Sequence, residues 1–172
     1  MASLLENLVE TLDKENTEYE TLVGLSNKKT PIIVKGDIEN LEKIMEDEQE
    51  VVGRIIRLEK TREENLADIA NVVNRDVKTL KLKNLEQMLD KNPDQQQKLS
   101  EVHGRLRKTV DDLKKVNETN QMLLQDAMEM VNFNLGMLQA LKAAPQTANY
   151  TSKAYNSGSV LGVMHGRFDA KQ

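Results

Sequence analysis

Apolar residues recur at steps of three and four along most of residues 1–144. The rhythm lapses around Gly36, across Arg75 to Asn92, and for good at Pro145. The longest unbroken stretch runs from Asp94 to Ala144 without an internal proline. It carries Leu99, Val102, Leu106, Val110, Leu113 and Val116, then Leu123, Leu124, Ala127, Met130, Val131, Leu138 and Leu141. That spacing lays one apolar stripe along a single long helix that faces other helices. Asp94, after Asn92-Pro93, can accept from the first-turn amides and cap the helix. Pro145, which lacks an amide and clashes with a preceding turn, should end it. The pattern predicts a helix over 94–144.

Earlier in the chain, Leu5, Leu8, Leu12, Tyr19, Leu22 and Val23 share a face that lapses at Glu15, and Ser3 with Glu6 matches a capping box. Thr30-Pro31 either ends this helix or kinks it. Continuation through Ile32-Ile33-Val34 to Lys35 is the better reading. Gly36 can take the left-handed conformation that closes a helix, and Asp37 can cap the next one. A first helix over 3–35 and a second over 37–74 follow. The second has a stripe of Ile38, Leu41, Met45, Val52, Ile55, Leu66, Ile69 and Val73, widened by Ile44, Val51 and Leu58. Between Arg75 and Asn92 the apolar residues suit a short helix at 82–90 that packs across the bundle end. Two long helices joined by so compact a segment run antiparallel. The expected fold is all-α: an elongated antiparallel bundle of three long helices plus one short helix over 1–144, followed by a flexible tail over 145–172.

Composition narrows the functions open to such a bundle. The net charge of −4 divides into −6 on the body and +2 on the tail, where Lys153, Arg167 and Lys171 outweigh Asp169. An acidic body argues against nucleic acid, whose binding needs clustered Lys and Arg. No segment approaches the roughly 20 apolar residues of a membrane span, so the protein is not expected to insert into a membrane. The first residues lack the basic and apolar regions of a secretory signal. With no cysteine, thiolate metal sites, disulfides and thiol catalysis are excluded, which fits a reducing, cytoplasmic setting.

Candidate chemistry is thin. Glu39, Glu42, Glu46, Asp47, Glu48 and Glu50 crowd the start of the second helix, but di-iron bundles pair glutamate with a Glu-x-x-His step. Here the one histidine of the body, His103, sits in Glu101-Val102-His103, so these acids read as a solvated face. His165 lies in the tail, where a preorganised base is not expected. No glycine-rich phosphate loop occurs. The chain is expected to be a non-enzyme with no cofactor and no metal.

Binding is what remains. From Met122 to Leu141 the long helix is apolar around more of its circumference, and four of the eight methionines fall there. Met128 and Phe133 are expected to point away from the stripe that Leu124, Ala127, Val131 and Leu138 continue. Methionine is flexible and polarisable, which suits a surface that adapts to partners. The candidate contact residues are Met122, Leu123, Met128, Met130, Phe133, Met137 and Leu141. This surface could equally be covered by the short segment or the tail, form a homodimer or other homo-oligomer interface, or hold an amphipathic helix from a partner. Three of the five aromatic residues, Tyr150, Tyr155 and Phe168, stand in the tail, which sets it apart from a plain linker.

Several stretches also carry a resemblance. They are Leu22-Val23-Gly24-Leu25-Ser26-Asn27-Lys28-Lys29, Gly36-Asp37-Ile38-Glu39-Asn40-Leu41, and Glu48-Gln49-Glu50 through Leu58-Glu59-Lys60-Thr61-Arg62. Most specific is the long helix ending in Phe133-Asn134-Leu135, joined to a tail with Asn149-Tyr150 and a terminal Phe168-Asp169-Ala170-Lys171-Gln172. Together they resemble the FlgN family of flagellar export chaperones. The resemblance implies a cytoplasmic chaperone that binds the C-terminal segments of hook-associated (hook–filament junction) proteins, prevents early assembly and delivers them to the membrane export gate. It also implies that the last helix and tail hold the client and that a tail tyrosine meets the gate's cytoplasmic domain, with Tyr150 the closer match and Tyr155 the second. A different class stays open: a structural coiled coil without a client. Asn120 and Asn134 stand on the heptad row of Leu99, Leu106, Leu113, Ala127 and Leu141, where a polar residue can set register or oligomer state.

Overall fold

The computed structural model describes residues 2–78, 80–90 and 92–143. These form four helices: α1 (Ala2–Lys35), α2 (Ile38–Val73), α3 (Leu82–Met88) and α4 (Pro93–Ala143). The fold is all-α, three long helices and one short. α1 opens at Ala2, which puts Ser3 inside the first turn and not at a capping position. It then runs through Pro31 to Lys35. At its end Gly36 sits at φ +67°, with its amide on the Ile33 carbonyl and the Asp37 amide on that of Ile32. That pair of bonds satisfies carbonyls the last turn would leave open. Asp37 then accepts from the Asn40 amide and opens α2, and the same bonds hold its carboxyl below the usual range. α2 closes in the same way, on a left-handed Asn74 whose amide reaches Asn71 while that of Arg75 reaches Ala70.

α4 begins one residue earlier than its sequence suggests. The Asn92 carbonyl accepts the amides of Gln95 and Gln96 at 3.1 and 3.0 Å, so Pro93 is the first helical residue. Proline suits that position because its missing amide would have had no helical partner. Asp94 is therefore not the cap; it lies within the first turn, where a carboxylate meets the positive end of the helix dipole.

Cross-helix bonds give the directions. From α1 to α2, Thr11 meets Asn65, Glu15 meets Arg62, Tyr19 meets Glu59 and Ser26 meets Glu48, so the numbering runs oppositely and the pair is antiparallel. From α1 to α4, Asp13 meets Arg105, Asn16 meets Thr109 and Thr30 meets Asn120, so these two run parallel. α2 is thus antiparallel to both.

Inside, apolar and polar layers alternate. One cluster joins Leu5, Leu8 and Leu12 of α1 with Ile69 of α2, Leu85 of α3 and Leu99, Val102 and Leu106 of α4. A second is smaller: Leu22, Val51, Ile55 and Leu113. Each fully buried leucine contributes about 1.5–3 kcal/mol through removal of apolar surface from water, which makes the first cluster the main source of stability. Buried Glu15 and Asn16 lie between them in sequence on α1, with buried Thr11 beside Leu12, and these three bond across to α2 and α4. Glu15 is fully buried; Arg62 donates to its Oε2 at 3.0 Å while Oε1 has no partner, and loss of hydration raises its carboxyl above the usual range. Tyr19 donates to Glu59 at 3.0 Å, and burial with this nearby carboxylate pushes its phenol up to about 12.

Two expectations about α2 change. Ile44, Val51, Ile55, Ile69 and Ala70 are its buried residues, whereas Ile38, Met45 and Val52 of the expected stripe are exposed. The buried seam lies to one side of that row because α2 turns toward α1. The chain divides into two units, Met1–Asn134 and Leu135–Gln172. The bundle above belongs to the first; the second contributes residues 135–143, the final turns of α4. The tail over 145–172 lies outside the described residues.

Candidate functional site

The site begins where the bundle's support for α4 ends. Asn120 is almost fully buried. Its Nδ2 donates to the Ser26 carbonyl at 2.8 Å and its Oδ1 accepts from the Thr30 hydroxyl at 2.6 Å. Beside it Ser26 donates to Glu48, whose second oxygen takes Lys29 at 2.6 Å. A buried amide is costly unless bonded on both its donor and acceptor sides, so these bonds pin α4 against α1 at one register. Asn120 was a candidate for setting an oligomer; here its amide is used within its own chain.

Beyond Asn120 the apolar pattern persists, but the described residues leave most of it exposed. From Gln121 onward every described residue of α4 is exposed except half-buried Leu123. The stripe expected to remain in the core is open as well: Leu124 is 36% exposed and Val131 is 56% exposed. Met122, Met128, Met130 and Phe133 are more exposed still, Phe133 reaching 70%. In the second unit Met137 and Leu141 are exposed residues of the same helix. Tyr150 and Tyr155 lie outside the described residues.

At about 100° per residue the candidates separate into two faces. Met128, one turn after Leu124, shares its face, and Val131 follows one turn on; Met128 therefore does not point away from the stripe, as expected from sequence. Met122, Met130 and Phe133 gather on the opposite side. Single exposed apolar residues are ordinary; here large ones stand on both faces of one helix.

A row that sequence reasoning assigned to the core also belongs here. A hollow between α2 and α4 is floored by Leu22 and Ser26 and walled by Val52 of α2 and Leu124 of α4. Met45 and Ile38 repeat Val52 at heptad steps, drifting only about 20° per step, and are exposed on the same side of α2. The seven-residue spacing was visible in the sequence; its exposure was not.

Other chemistry-bearing groups have structural partners. His103 Nδ1 lies 2.7 Å from Glu86 Oε1 and ties α4 to α3. Gln96 donates to the Glu86 carbonyl and to Asp90. Among the described residues no cluster of His, Cys, Asp and Glu could hold a metal ion, and no helix is long and apolar enough to cross a membrane.

The described residues thus form a helical bundle whose last helix carries exposed apolar residues beyond Asn120. The FlgN family model, described as FlgN protein, matches residues 1–158, and the chain belongs to that family of flagellar export chaperones. No curated protein and no solved structure matches it.

Proposed function

We propose that this FlgN-family protein is a cytoplasmic type III export chaperone for hook-associated junction proteins. It binds their C-terminal helical segments, keeps them from assembling early and delivers them to the cytoplasmic domain of the membrane export gate. It is a binding protein and not an enzyme. The observation that carries the reading is the apolar surface of α4 beyond Asn120, where Met122, Met128, Met130 and Phe133 are all exposed. An unassembled client helix has an apolar face that needs cover, and a groove lined by methionine and leucine provides it. Met137 and Leu141 continue the same sequence pattern. Tyr150, with Tyr155 as second choice, is assigned to the gate. The scaffold reading keeps the apolar helix but loses Asn120 as its register residue.

Titration calorimetry against the C-terminal segments of hook-associated proteins from the same organism tests this. Saturable binding is expected, lost when Met130, Phe133 and Met137 are all replaced by serine while far-UV circular dichroism is unchanged. Absence of binding by the folded wild-type chain would overturn the reading. Sedimentation as a tight oligomer indifferent to these segments would favour the scaffold.

A further inference from the structure

Resting on the chaperone reading, we infer that the client helix does not lie on α4 alone but in the groove between α2 and α4, and that its apolar stripe is bordered by Lys or Arg on the side facing α2. The floor of the groove near Asn120 is polar but satisfied. Ser26, Thr30, Lys29, Glu48 and Asn120 bond to one another. A polar ligand would find few open partners there. Beyond that floor the exposed apolar residues follow two rows, Val52, Met45 and Ile38 along α2 and Leu124, Met128 and Val131 along α4. Exposure rises away from the floor, from 40% at Val52 through 46% at Met45 to 64% at Ile38.

The occupant follows from shape and charge. Ile38 to Val52 spans fourteen residues of helix, about 21 Å at 1.5 Å per residue, the length of four turns of a partner helix. Heptad rows on both walls are read best by a helix whose own apolar residues follow steps of three and four. Along the outer edge of the α2 wall stand exposed Glu42 and Glu46, with Glu39, which pairs with Lys43 at 2.7 Å. The corresponding edge of α4 offers neutral Gln121, Gln125 and Asn132. Positive charge is thus favoured on one border of the partner and indifferent on the other. The same charges disfavour a second copy of this chain. Its exposed apolar rows are accompanied by Glu39, Glu42 and Glu46 on α2 and by Asp126 and Glu129 on α4, so self-docking sets like charge against like.

The test compares three variants of the full chain by calorimetry against the same C-terminal segments, with circular dichroism as the folding control. Ile38→Ser with Met45→Ser is expected to weaken binding at least tenfold, although neither residue touches α4's far face. Glu42→Lys with Glu46→Lys is expected to weaken it severalfold, and the salt dependence seen with wild type should flatten. Phe133→Ser is the comparator for the opposite face. If the Ile38/Met45 variant binds as wild type does while Phe133→Ser loses binding, the groove is overturned and the chaperone reading stands. If the charge variant binds equally well or better, the basic border is wrong. Failure of the wild-type chain to bind overturns both. A wild-type dimer in sedimentation that the Ile38/Met45 variant dissolves would show a second copy to be the occupant and overturn the inference.

Discussion

The row Leu99, Leu106 and Leu113 of α4 and the pair Leu124 and Val131 obey the same helical spacing, yet the first three are buried and the other two are open to solvent. Neither propensity nor residue type distinguishes them. The difference is in the neighbours. Leu99 and Leu106 meet Leu5, Leu8 and Leu12 of α1 and the short α3, whereas past Asn120 the described residues bury no side chain of the helix, and Leu124 only edges a hollow shared with Leu22 and Val52. Amphipathic periodicity states that a stripe wants a partner; the rest of the fold decides whether that partner is internal. In this chain the first half of the stripe is structural and the second half is available.

The sharpest way to break that comparison is to cut back one side chain in the covered cluster and one on the open surface. Leu8 is fully buried in the first cluster. Leu8→Ala should lower unfolding free energy by about 2–5 kcal/mol, the transfer loss plus the cavity left behind. Phe133→Ser removes more atoms, but from an exposed site, and should change stability by less than about 0.5 kcal/mol. Urea unfolding of both measures the pair. Similar losses would mean that the surface beyond Asn120 is covered after all and that the division between the halves is false.

A second test acts on the boundary itself. Asn120→Ala leaves the Thr30 hydroxyl and the Ser26 carbonyl without the bonds that pin α4. Loss of a buried partner costs about 1–3 kcal/mol. The same urea series should show a destabilisation in that range, smaller than that of Leu8→Ala and larger than that of Phe133→Ser. No loss would mean that the pin contributes nothing and that the end of support for α4 is set elsewhere.

Much of this arrangement could be read in advance because local signals agreed with the global fold. The all-α class followed from sustained spacing, and the break at Gly36-Asp37 has conformational and capping causes that are themselves local. The misread features are all matters of which neighbour a residue meets. Ile38, Met45 and Val52 form as good a heptad row as any, and only the position of α1 decides that the seam runs through Ile44, Val51 and Ile55 instead. Asn120 on an apolar row signals a register device, but sequence does not say whether its partner is another chain or Ser26 of the same one. Met128 was placed with Phe133 on composition, although it stands a single turn from Leu124. Glu15, where the first stripe lapses, was legible as an interruption and not as a buried ion pair, since Arg62 lies far away in sequence.

That buried Glu15 supplies the smallest effect and the finest contrast between the two polar layers, one holding a raised carboxyl and the other the neutral amide of Asn120. The folded chain holds a proton on Glu15 more tightly than the unfolded chain does, because burial opposes the charged form more than Arg62 favours it. Folding is therefore linked to proton uptake between the ordinary value of 4.5 and the raised folded value. The stability this provides is complete below the ordinary value and is lost as pH rises through the folded one. Glu10 and Asp37 are shifted the other way, Glu10 by its bond to Lys14 and Asp37 by its bonds to Asn40, and both are shared by wild type and variant. Comparing wild type with Glu15→Gln cancels them. Urea midpoints measured from pH 4.5 to 7.5 should show wild type losing ground to Glu15→Gln as pH rises. A difference independent of pH would mean that water reaches the carboxylate and that the layer between the two apolar clusters is as open as the groove beyond Asn120.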